Sequence, residues 1–572
     1  MPIGNVRRSQ LITTYGVGSI VPVKGEAVMV AGIHRWAVKP EDETHEPRLE
    51  KKLGVERFIL PPSTGKNGDN DVPAVRFPSW YWCPICKRLD YFDTLCGGSH
   101  GKCNNCGVSL VPSRFVIVCE NGHIDDFPYF EWVHAKKSWD DHISHELSIK
   151  SGGVSASLSD VIIRCSCGLS RSMEGSFNKM ALKEITRCTG NRPWLGDRER
   201  CDQLPRTLQR GASNVYFPVT ESAISIPPWS EGAYKIINRY WSVLRNVPEN
   251  ALFETIQGMG LASETPYETE DLVVAVKRRK AGDPLEDSSA EETLKPKEYE
   301  ALSVGKKETS FDQDFVCEPT QAVPVKLQEW IDQVMLVKRL REVRVLTSFV
   351  RSTPPSPADD PGRRAPISKK PLNWLPGMEV MGEGVFIRLN SDRLIKWETN
   401  AVVTQRAAKI NTNYDAKFRV FKRTPDRVIT PRLIMIHTLA HAVIIQWSMD
   451  CGYPAASLRE RLYVSDTMAG LLIYTASTDA AGSLGGIISL AKPKQLDEAL
   501  HNAIEKVSWC SADPLCIESD AAGVDSLNLA ACHACILLPE VSCEEANSLL
   551  DRGLLVGTRD KPDMGFFSSF VL

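Results

Sequence analysis

The spacing of hydrophobic positions changes several times along the chain, and each change predicts a different kind of element. In residues 1–75, short apolar runs at 19–23 and 27–31 predict strands. Over residues 76–220 the apolar runs stay short and are interrupted by Gly and Pro, which is typical of a region held together by metal ions. Apolar residues then recur at helical spacing over 328–350, which predicts a helix.

The last 200 or so residues combine helical and extended patterns. A long apolar run at 431–447 predicts a buried helix, and residues 455–462 and 496–508 predict two more. Residues 471–476 predict a strand, and a helix at 543–551 is expected to close this part of the chain.

These patterns predict a multidomain α+β fold with a zinc-stapled N-terminal half and a mixed α+β C-terminal domain. With 572 residues, the chain can form three or four domains of about 150 residues each. We expect a β-rich segment over 1–75 and a cysteine-rich zinc-binding region over 76–220. A mixed connecting region with flexible loops is expected over 221–370, and a C-terminal domain that ends in a cysteine cluster over 371–572.

Composition places the chain among globular proteins and limits its partners. Hydrophobic residues make up 42% and charged residues 24%, which excludes a fibrous or fully disordered chain. The 68 Lys and Arg residues are balanced by 71 Asp and Glu residues, so nucleic acid could bind only through local basic patches. Neither a signal peptide nor an apolar stretch long enough to span a membrane is recognisable, so we expect no membrane contact and a cytoplasmic location.

The 17 cysteines are clustered, and in a reducing compartment clustered thiols indicate metal binding more than disulfides. The first cluster consists of Cys83, Cys86, Cys103 and Cys106. Its spacing, C-x2-C-x16-C-x2-C, is typical of a zinc ion held by four thiolates. Because such a site has no open coordination position, its expected role is to stabilise the fold.

The second cluster is less regular and predicts a second zinc site. It consists of Cys165, Cys167, Cys188 and Cys201. Cys119 and His123 could replace one or two of these ligands. We favour a core position for Cys119, at the end of a strand predicted over 115–119, and a turn position for His123.

The third cluster offers five thiols where zinc needs four. It consists of Cys510, Cys516, Cys532, Cys535 and Cys543. The pair Cys532 and Cys535 is its strongest unit, and the spacing leaves open which of the other three cysteines complete the site. In total we expect two or three structural zinc sites.

His437 and His441 are separated by one helical turn and therefore share a helix face. No Glu follows His437, so the metalloprotease motif H-E-x-x-H is absent. Because their neighbours are apolar, we favour core or interface positions for both. The sequence also lacks the G-x4-G-K-[ST] loop of ATP-hydrolysing proteins.

Two basic patches could contact nucleic acid. The first lies within residues 406–432, where Tyr414, Phe418 and Phe421 alternate with basic residues, and the second lies within 338–351. Basic side chains neutralise phosphates, and exposed aromatic rings can stack on bases. The candidate DNA-binding residues are Arg406, Lys409, Lys417, Arg419, Lys422, Arg423, Arg427, Lys338, Arg339 and Arg341.

Several stretches resemble known families. Four of them are similar to the MrfA-type zinc-binding (MZB) domain, which accompanies many DNA helicases: IHTLAH at 436–441, CGYPAASLRER at 451–461, GSLGG at 482–486 and AACHAC at 530–535. Four others resemble the DrmB family of the DISARM anti-phage system: RRSQLITTYGVG at 7–18, CENGHIDDFP at 119–128, RPWLGDR at 192–198 and RGASNVYFP at 210–218. The resemblance extends over nearly the whole chain.

The resemblance implies a function beside a helicase. DrmB-like proteins act in bacterial defence with a separate helicase, DrmA, which hydrolyses ATP. The DrmB-like subunit binds the helicase and helps it engage DNA, so a heterodimer without enzymatic activity of its own is expected. The resemblance also implies zinc bound by Cys516, Cys532, Cys535 and Cys543, with Cys510 in contention. It does not indicate which residues contact DNA or which surface meets the helicase.

Two alternatives belong to other functional classes. One is a zinc-dependent nuclease or hydrolase that uses His437, His441 and a nearby carboxylate such as Glu460 or Asp466, which requires an open metal position. The other is a scaffold that binds only protein, with the basic patches facing an acidic partner. DNA strand polarity, methylation, end preference and subunit stoichiometry do not follow from the sequence.

Overall fold

A computed structural model provides the fold of the chain. It describes all residues except 1–3, 64–70, 99–100, 136–144, 152–156, 264, 281–289, 309–313, 356–360, 421, 476–484 and 572. Most of the GSLGG stretch at 482–486 therefore lies outside the described residues, as does Phe421 of the first basic patch.

The strands, in chain order, are β1 (Ile20–Val23), β2 (Glu26–Val30), β3 (Glu43–Thr44), β4 (Arg57–Ile59), β5 (Ala74–Arg76), β6 (Trp80–Trp82), β7 (Arg88–Tyr91), β8 (Val111–Pro112), β9 (Phe115–Val118), β10 (Ile124–Asp126), β11 (Leu147–Ser151), β12 (Val161–Cys165), β13 (Ser170–Ser172), β14 (Asn191–Arg192), β15 (Asp197–Arg198), β16 (Arg206–Gln209), β17 (Phe217–Ile224), β18 (Val316–Pro319), β19 (Ile331–Val350), β20 (Trp374–Leu389), β21 (Leu458–Val464) and β22 (Ala469–Thr475).

The α-helices are α1 (Pro47–Leu53), α2 (Phe92–Cys96), α3 (Tyr129–His134), α4 (Gly232–Arg239), α5 (Trp241–Leu244), α6 (Leu252–Gly258), α7 (Thr269–Lys280), α8 (Ala290–Val304), α9 (Ser391–Glu398), α10 (Ala401–Val420), α11 (Pro431–Cys451), α12 (Gly486–Leu490), α13 (Pro493–Val507), α14 (Arg552–Val556) and α15 (Ser568–Val571). Short 3-10 helices connect several of these elements.

The first of two compact units is built mainly from short strands. It comprises Met1–Thr44, Arg57–Glu221 and Val345–Met378. Its largest sheet has the order β13-β12-β11-β7-β6-β8, and two three-stranded sheets have the orders β1-β2-β5 and β10-β9-β16. Buried aromatic side chains such as Phe127 and Trp132 fill the core beside the largest sheet. Because these strands are so short, they present little continuous apolar surface, and cross-links between the turns can add stability that packing does not supply.

The second compact unit combines a sheet with long helices. It comprises His45–Glu56, Ser222–Arg344 and Glu379–Leu572. Its strands follow the order β19-β20-β22-β21, and β18 pairs with β19. At the centre of this sheet, Leu471 of β22 is the register partner of Ile387 on one side and of Leu462 on the other.

Helix α11 is the buried centre of the second unit. Thr430 caps its N-terminus by accepting a hydrogen bond from the Leu433 amide, Pro431 occupies the first turn, and Gly452 ends the helix with φ 70°. Residues 433–444 are all buried, so the helix is covered on every side. Among the described residues no helix is long and apolar enough to cross a membrane.

The α+β class is confirmed, and so are several predicted elements. The structure contains the strands expected near 19–31 and 471–476, and the helices expected at 431–447 and 496–508. The division into four regions stays a prediction.

Three predicted helices are wrong. Residues 331–350 form strand β19, because this segment is rich in β-branched residues, whose stiff side chains suit a sheet. Residues 458–464 form β21, which pairs with β22 along its whole length. Residues 543–551 form turns in which Ala546, Asn547 and Leu549 have positive φ, which no helix tolerates.

Candidate metal centres

The described residues include four groups of four cysteine or histidine side chains whose ligand atoms lie within 4.8 Å of one another. A tetrahedral zinc ion with Zn–S bonds of about 2.3 Å places its sulfur ligands about 3.8 Å apart, and a sulfur and a nitrogen about 3.5 Å apart. A disulfide would bring two sulfurs to about 2.05 Å. The cysteines of these groups are all free thiols, so the measured separations can be compared with the zinc values.

The first centre consists of Cys83, Cys86, Cys103 and Cys106. Its two C-x2-C turns have the same construction. In each turn the first cysteine accepts, through its carbonyl oxygen, a hydrogen bond from the amide four residues later, Lys87 or Gly107, and that residue has a positive φ. The Cys86 and Cys103 sulfurs are 3.8 Å apart, as tetrahedral zinc requires. The structure therefore brings together all four cysteines that the spacing predicted.

The second centre consists of Cys119, His123, Cys188 and Cys201. Cys119 Sγ lies 3.3 Å from His123 Nδ1 and 4.0 Å from Cys201 Sγ. His123 Nε2 lies 2.7 Å from a carboxylate oxygen of Glu199, the kind of outer contact that orients a metal-binding imidazole. The hydrogen bond with the Cys188 thiol is the largest of the effects that lower the pKa of the Cys119 thiol to about 4, which favours the thiolate that zinc needs.

The third centre consists of His134, His145, Cys165 and Cys167. Cys165 Sγ lies 3.2 Å from His145 Nδ1, and Cys167 Sγ lies 3.5 Å from His134 Nε2. The other ring nitrogen of His134 donates a hydrogen bond to the Phe130 carbonyl oxygen at 2.8 Å, so the nitrogen that faces the sulfur is the unprotonated one.

The four cysteines that the sequence grouped as the second cluster belong to two different centres, the second and the third. Cys165 and Cys167 are not gathered with Cys188 and Cys201, because strand β12 and its turn place the first pair beside α3. Cys119 and His123, which we expected in the core and in a turn, lie in the second centre. His134 and His145 were missed altogether. Ten residues lie between them, so no short motif joins them, and only pairing of β11 with β12 brings His145 to Cys165.

The fourth centre consists of Cys510, Cys516, Cys532 and Cys535. The sulfur of Cys532 lies 3.5 Å from Cys510 and 3.6 Å from Cys535, and Cys516 lies 3.8 Å from Cys535. The structure thus gathers Cys510 with the C-x2-C pair. It places Cys543 in another group, described below, whereas the family resemblance had implied Cys543 as a ligand with these cysteines.

Most of the candidate DNA-binding residues form ion pairs within the chain. Arg341 is buried, and its guanidinium contacts Glu379 at 2.6 Å. The paired residues and their partners are Arg406 with Asp551, Lys409 with Asp520, Lys417 with Asp525, Arg427 with Glu545, Lys338 with Glu318 and Arg339 with Glu308. Tyr414 and Phe418 are buried and cannot stack on bases. Arg419, Lys422 and Arg423 at the end of α10 are exposed, and Lys338 and Lys409 are also exposed despite their ion pairs.

These observations define a class of protein: a mixed α+β chain with closed, four-ligand cysteine and histidine centres that are compatible with structural zinc. Residues 439–536 match the MrfA Zn-binding domain (MZB), and residues 7–217 match a domain of unknown function, DUF8724.

The chain belongs to the DrmB family of DISARM proteins. It is 32% identical, over 578 aligned positions, to the DISARM protein DrmB of Bacillus paralicheniformis (strain ATCC 9945a / NCIMB 11709 / CD-2), and the match covers 96% of this chain and 99% of that protein. A crystal structure of the DUF1998 helicase MrfA bound to DNA is similar over 42% of this chain and 25% of its own, with 10% identity and a TM-score of 0.20.

Proposed function

We propose that this chain is a non-catalytic, zinc-containing subunit of a DISARM-type anti-phage complex. It pairs in the cytoplasm with a separate superfamily-2 DNA helicase of the DrmA type, as a heterodimer, and promotes the engagement of DNA by that helicase. The observation that carries this proposal is the 32% identity to a DISARM protein over nearly the full length of both chains.

The chemistry of the zinc centres supports a role without catalysis. Each of the four cysteine and histidine centres offers four protein ligands, and catalytic zinc keeps one position for water or substrate. The sequence also lacks the phosphate-binding loop G-x4-G-K-[ST], so ATP hydrolysis is assigned to the helicase partner.

A small exposed basic surface supports contact with DNA. We name it the α10 basic tip, and it consists of Arg419, Lys422 and Arg423. Their exposure matters because phosphate contacts require side chains that can reach the ligand and release its counterions. The remaining candidates form ion pairs with carboxylates of the same unit, for example Arg406 with Asp551 at 2.5 Å.

The test measures ATP hydrolysis and DNA binding by the chain alone, by a DrmA-type helicase alone, and by the two together. We expect no hydrolysis by the chain alone, a stable complex in size-exclusion chromatography, and tighter DNA binding by the complex than by the helicase. Hydrolysis of ATP or cleavage of DNA by the purified chain would refute the non-catalytic role. If the complex binds DNA no more tightly than the helicase alone, this chain would instead be a scaffold that binds only protein.

A further inference from the structure

A fifth group of metal-binding side chains lies in the second compact unit and contains residues that the four centres leave out. It consists of His437, His441, Glu460 and Cys543. Helix α11 supplies both histidines from adjacent turns, β21 supplies the carboxylate, and the turns after 542 supply the thiol. All four residues are buried, with exposed fractions between 0% and 8%. Cys543 also lies outside residues 439–536, which match the MZB domain.

The separations within this group are those of a tetrahedral site. His437 Nε2 lies 3.2 Å from Cys543 Sγ and 3.1 Å from Glu460 Oε1, and His441 Nε2 lies 3.6 Å from the same Glu460 oxygen. Zinc bonds of the usual lengths place a nitrogen about 3.5 Å from a sulfur and about 3.4 Å from an oxygen. Each pair is therefore within a few tenths of an ångström of the expected value.

The unsatisfied atoms in this group indicate a cation-binding site. His441 donates its Nδ1–H to the Ile536 carbonyl oxygen at 2.9 Å, which leaves its Nε2 as a bare acceptor directed at the other three residues. That Nε2 and Glu460 Oε2 are both buried without a hydrogen-bond partner. Two orphaned acceptors at one buried point are costly in a folded protein unless something with positive charge lies between them.

Two backbone hydrogen bonds to Cys543 favour its thiolate state. Its sulfur accepts hydrogen bonds from the backbone amides of Glu545 and Asn547 at 3.3 and 3.2 Å. These amides reach the sulfur because Ala546 and Asn547 adopt positive φ. The local backbone is therefore folded around the sulfur.

Charge balance also favours a divalent ion. A thiolate and a carboxylate together carry two negative charges, and two neutral imidazoles add none, so a dication makes the buried site neutral. Without the ion, the buried Glu460 carboxylate would be compensated only by an imidazolium and by one hydrogen bond, at 3.0 Å, from the Glu544 amide. The mixed nitrogen, oxygen and sulfur donors suit zinc, whereas Mg²⁺ and Ca²⁺ prefer oxygen ligands alone.

From these contacts we infer that His437, His441, Glu460 and Cys543 bind a fifth zinc ion in this chain. With four protein ligands and no exposed face, the ion has no position for water, and its role is to join α11, β21 and the segment after the fourth centre. This inference goes beyond the proposed accessory function and does not depend on it. The same closure argues against the use of His437 and His441 in a zinc-dependent hydrolase.

The test counts bound zinc in the full chain by native mass spectrometry. We expect Cys543→Ser to bind one zinc ion fewer than the wild-type chain. The matched control is Cys317→Ser, because Cys317 is equally buried in the same unit, belongs to none of the five groups, and contacts only the Leu302 carbonyl oxygen among hydrogen-bond partners. A folded Cys543→Ser chain with the wild-type zinc count would overturn the inference.

If Cys543→Ser does not fold, a second measurement tests whether the fifth group binds zinc. Anomalous X-ray scattering from crystals of the wild-type chain, recorded on both sides of the zinc absorption edge, locates every bound zinc ion. We expect a peak between His441 and Cys543. Peaks at the four cysteine and histidine centres without one there would refute the fifth site and leave the proposed function untouched.

Discussion

Arg351 donates a hydrogen bond of 2.8 Å from its Nε to the backbone carbonyl oxygen of Gly122. The same buried guanidinium also donates to the carbonyl oxygens of Gly18 and Val215, at 2.8 and 2.6 Å. These three residues belong to three of the stretches by which the sequence resembles the DrmB family, at 7–18, 119–128 and 210–218. One side chain from a fourth segment therefore fixes the relative positions of all three within the first unit.

Replacing Arg351 with Met is expected to destabilise the first unit by roughly 3–5 kcal/mol, because three buried carbonyl groups lose their donor. Chemical denaturation followed by tryptophan fluorescence measures the loss. Arg200→Met is the control, since Arg200 is exposed in the same unit, and we expect it to change stability by less than about 0.5 kcal/mol. Equal stability of the two variants would contradict the structural role of Arg351.

The second and third centres are expected to bind separate zinc ions. Cys167→Ser and Cys188→Ser should each lose one ion, and the double variant should lose two, because the two cysteines lie in different groups. Metal analysis of the three purified proteins distinguishes this from the shared site that the sequence predicted. A double variant that loses a single ion would show that the four cysteines serve one centre.

Removing a ligand of the fourth centre is expected to unfold the C-terminal part of the second unit. A structural zinc ion contributes apparent folding free energy on the order of 10–16 kcal/mol, so Cys535→Ser should give insoluble protein or protein that no longer pairs with the helicase. Cys451→Ser is the control, because Cys451 lies in the same unit outside the metal-binding groups. A soluble Cys532→Ser/Cys535→Ser chain that still pairs normally would contradict a folding role for this zinc.

The α10 basic tip is expected to contribute to the salt dependence of DNA binding by the helicase complex. If Arg419 and Lys422 both contact phosphates, replacing them with Ala should reduce the slope of log K against log salt by about 1.8. The control replaces Lys277 and Arg278, two exposed basic residues on α7, and should leave the slope unchanged. Identical slopes for both double variants would show that this surface does not face DNA.

Glu342 is expected to make the second unit sensitive to acid. Burial alone would raise the pKa of its carboxyl group, but the charges of Arg344 and Arg459 outweigh burial and lower the pKa to about 2. Since the folded-state pKa lies below the unfolded value of about 4.3, the stability from this ionised group is complete above about pH 5 and is lost as the pH falls towards 2. The full effect is roughly 3 kcal/mol.

Denaturation curves at several pH values test this expectation. The Glu342→Gln chain should lose stability less steeply than the wild-type chain as the pH falls from 5 to 3. Acid also protonates zinc ligands, but that contribution is common to both proteins and cancels in the comparison. If the free energy of unfolding falls equally steeply with pH in both chains, Glu342 is not the source of the acid sensitivity.

The sequence revealed those parts of the metal centres whose ligands are close together along the chain. The pairs Cys83 and Cys86, and Cys532 and Cys535, each define half a zinc site by local spacing alone. His134 carries no such signal, because its partner cysteines join it only through the tertiary structure. The same limit explains β19, in which apolar residues fall by chance at helical intervals while the neighbouring strands decide the conformation.

Part of the charge in the basic patches is paired within the fold, which the sequence did not reveal for a related reason. Along the chain, residues 406–432 are strongly basic, but Asp551 and Glu545 lie more than 100 residues away and neutralise Arg406 and Arg427. Net charge counted over a short window ignores carboxylates brought in by the fold. Exposure at the end of a helix, as for Lys422, becomes visible only once the helix ends are known.

The ligands of the second centre enclose those of the third along the chain: His134, His145, Cys165 and Cys167 all lie between His123 and Cys188. During synthesis the inner set therefore leaves the ribosome complete while the outer set is still half made. The third centre can therefore bind its ion first. The second centre is complete only when Cys201 emerges, 34 residues after Cys167. The order of the ligands along the chain would then set the order in which these two zinc ions are bound.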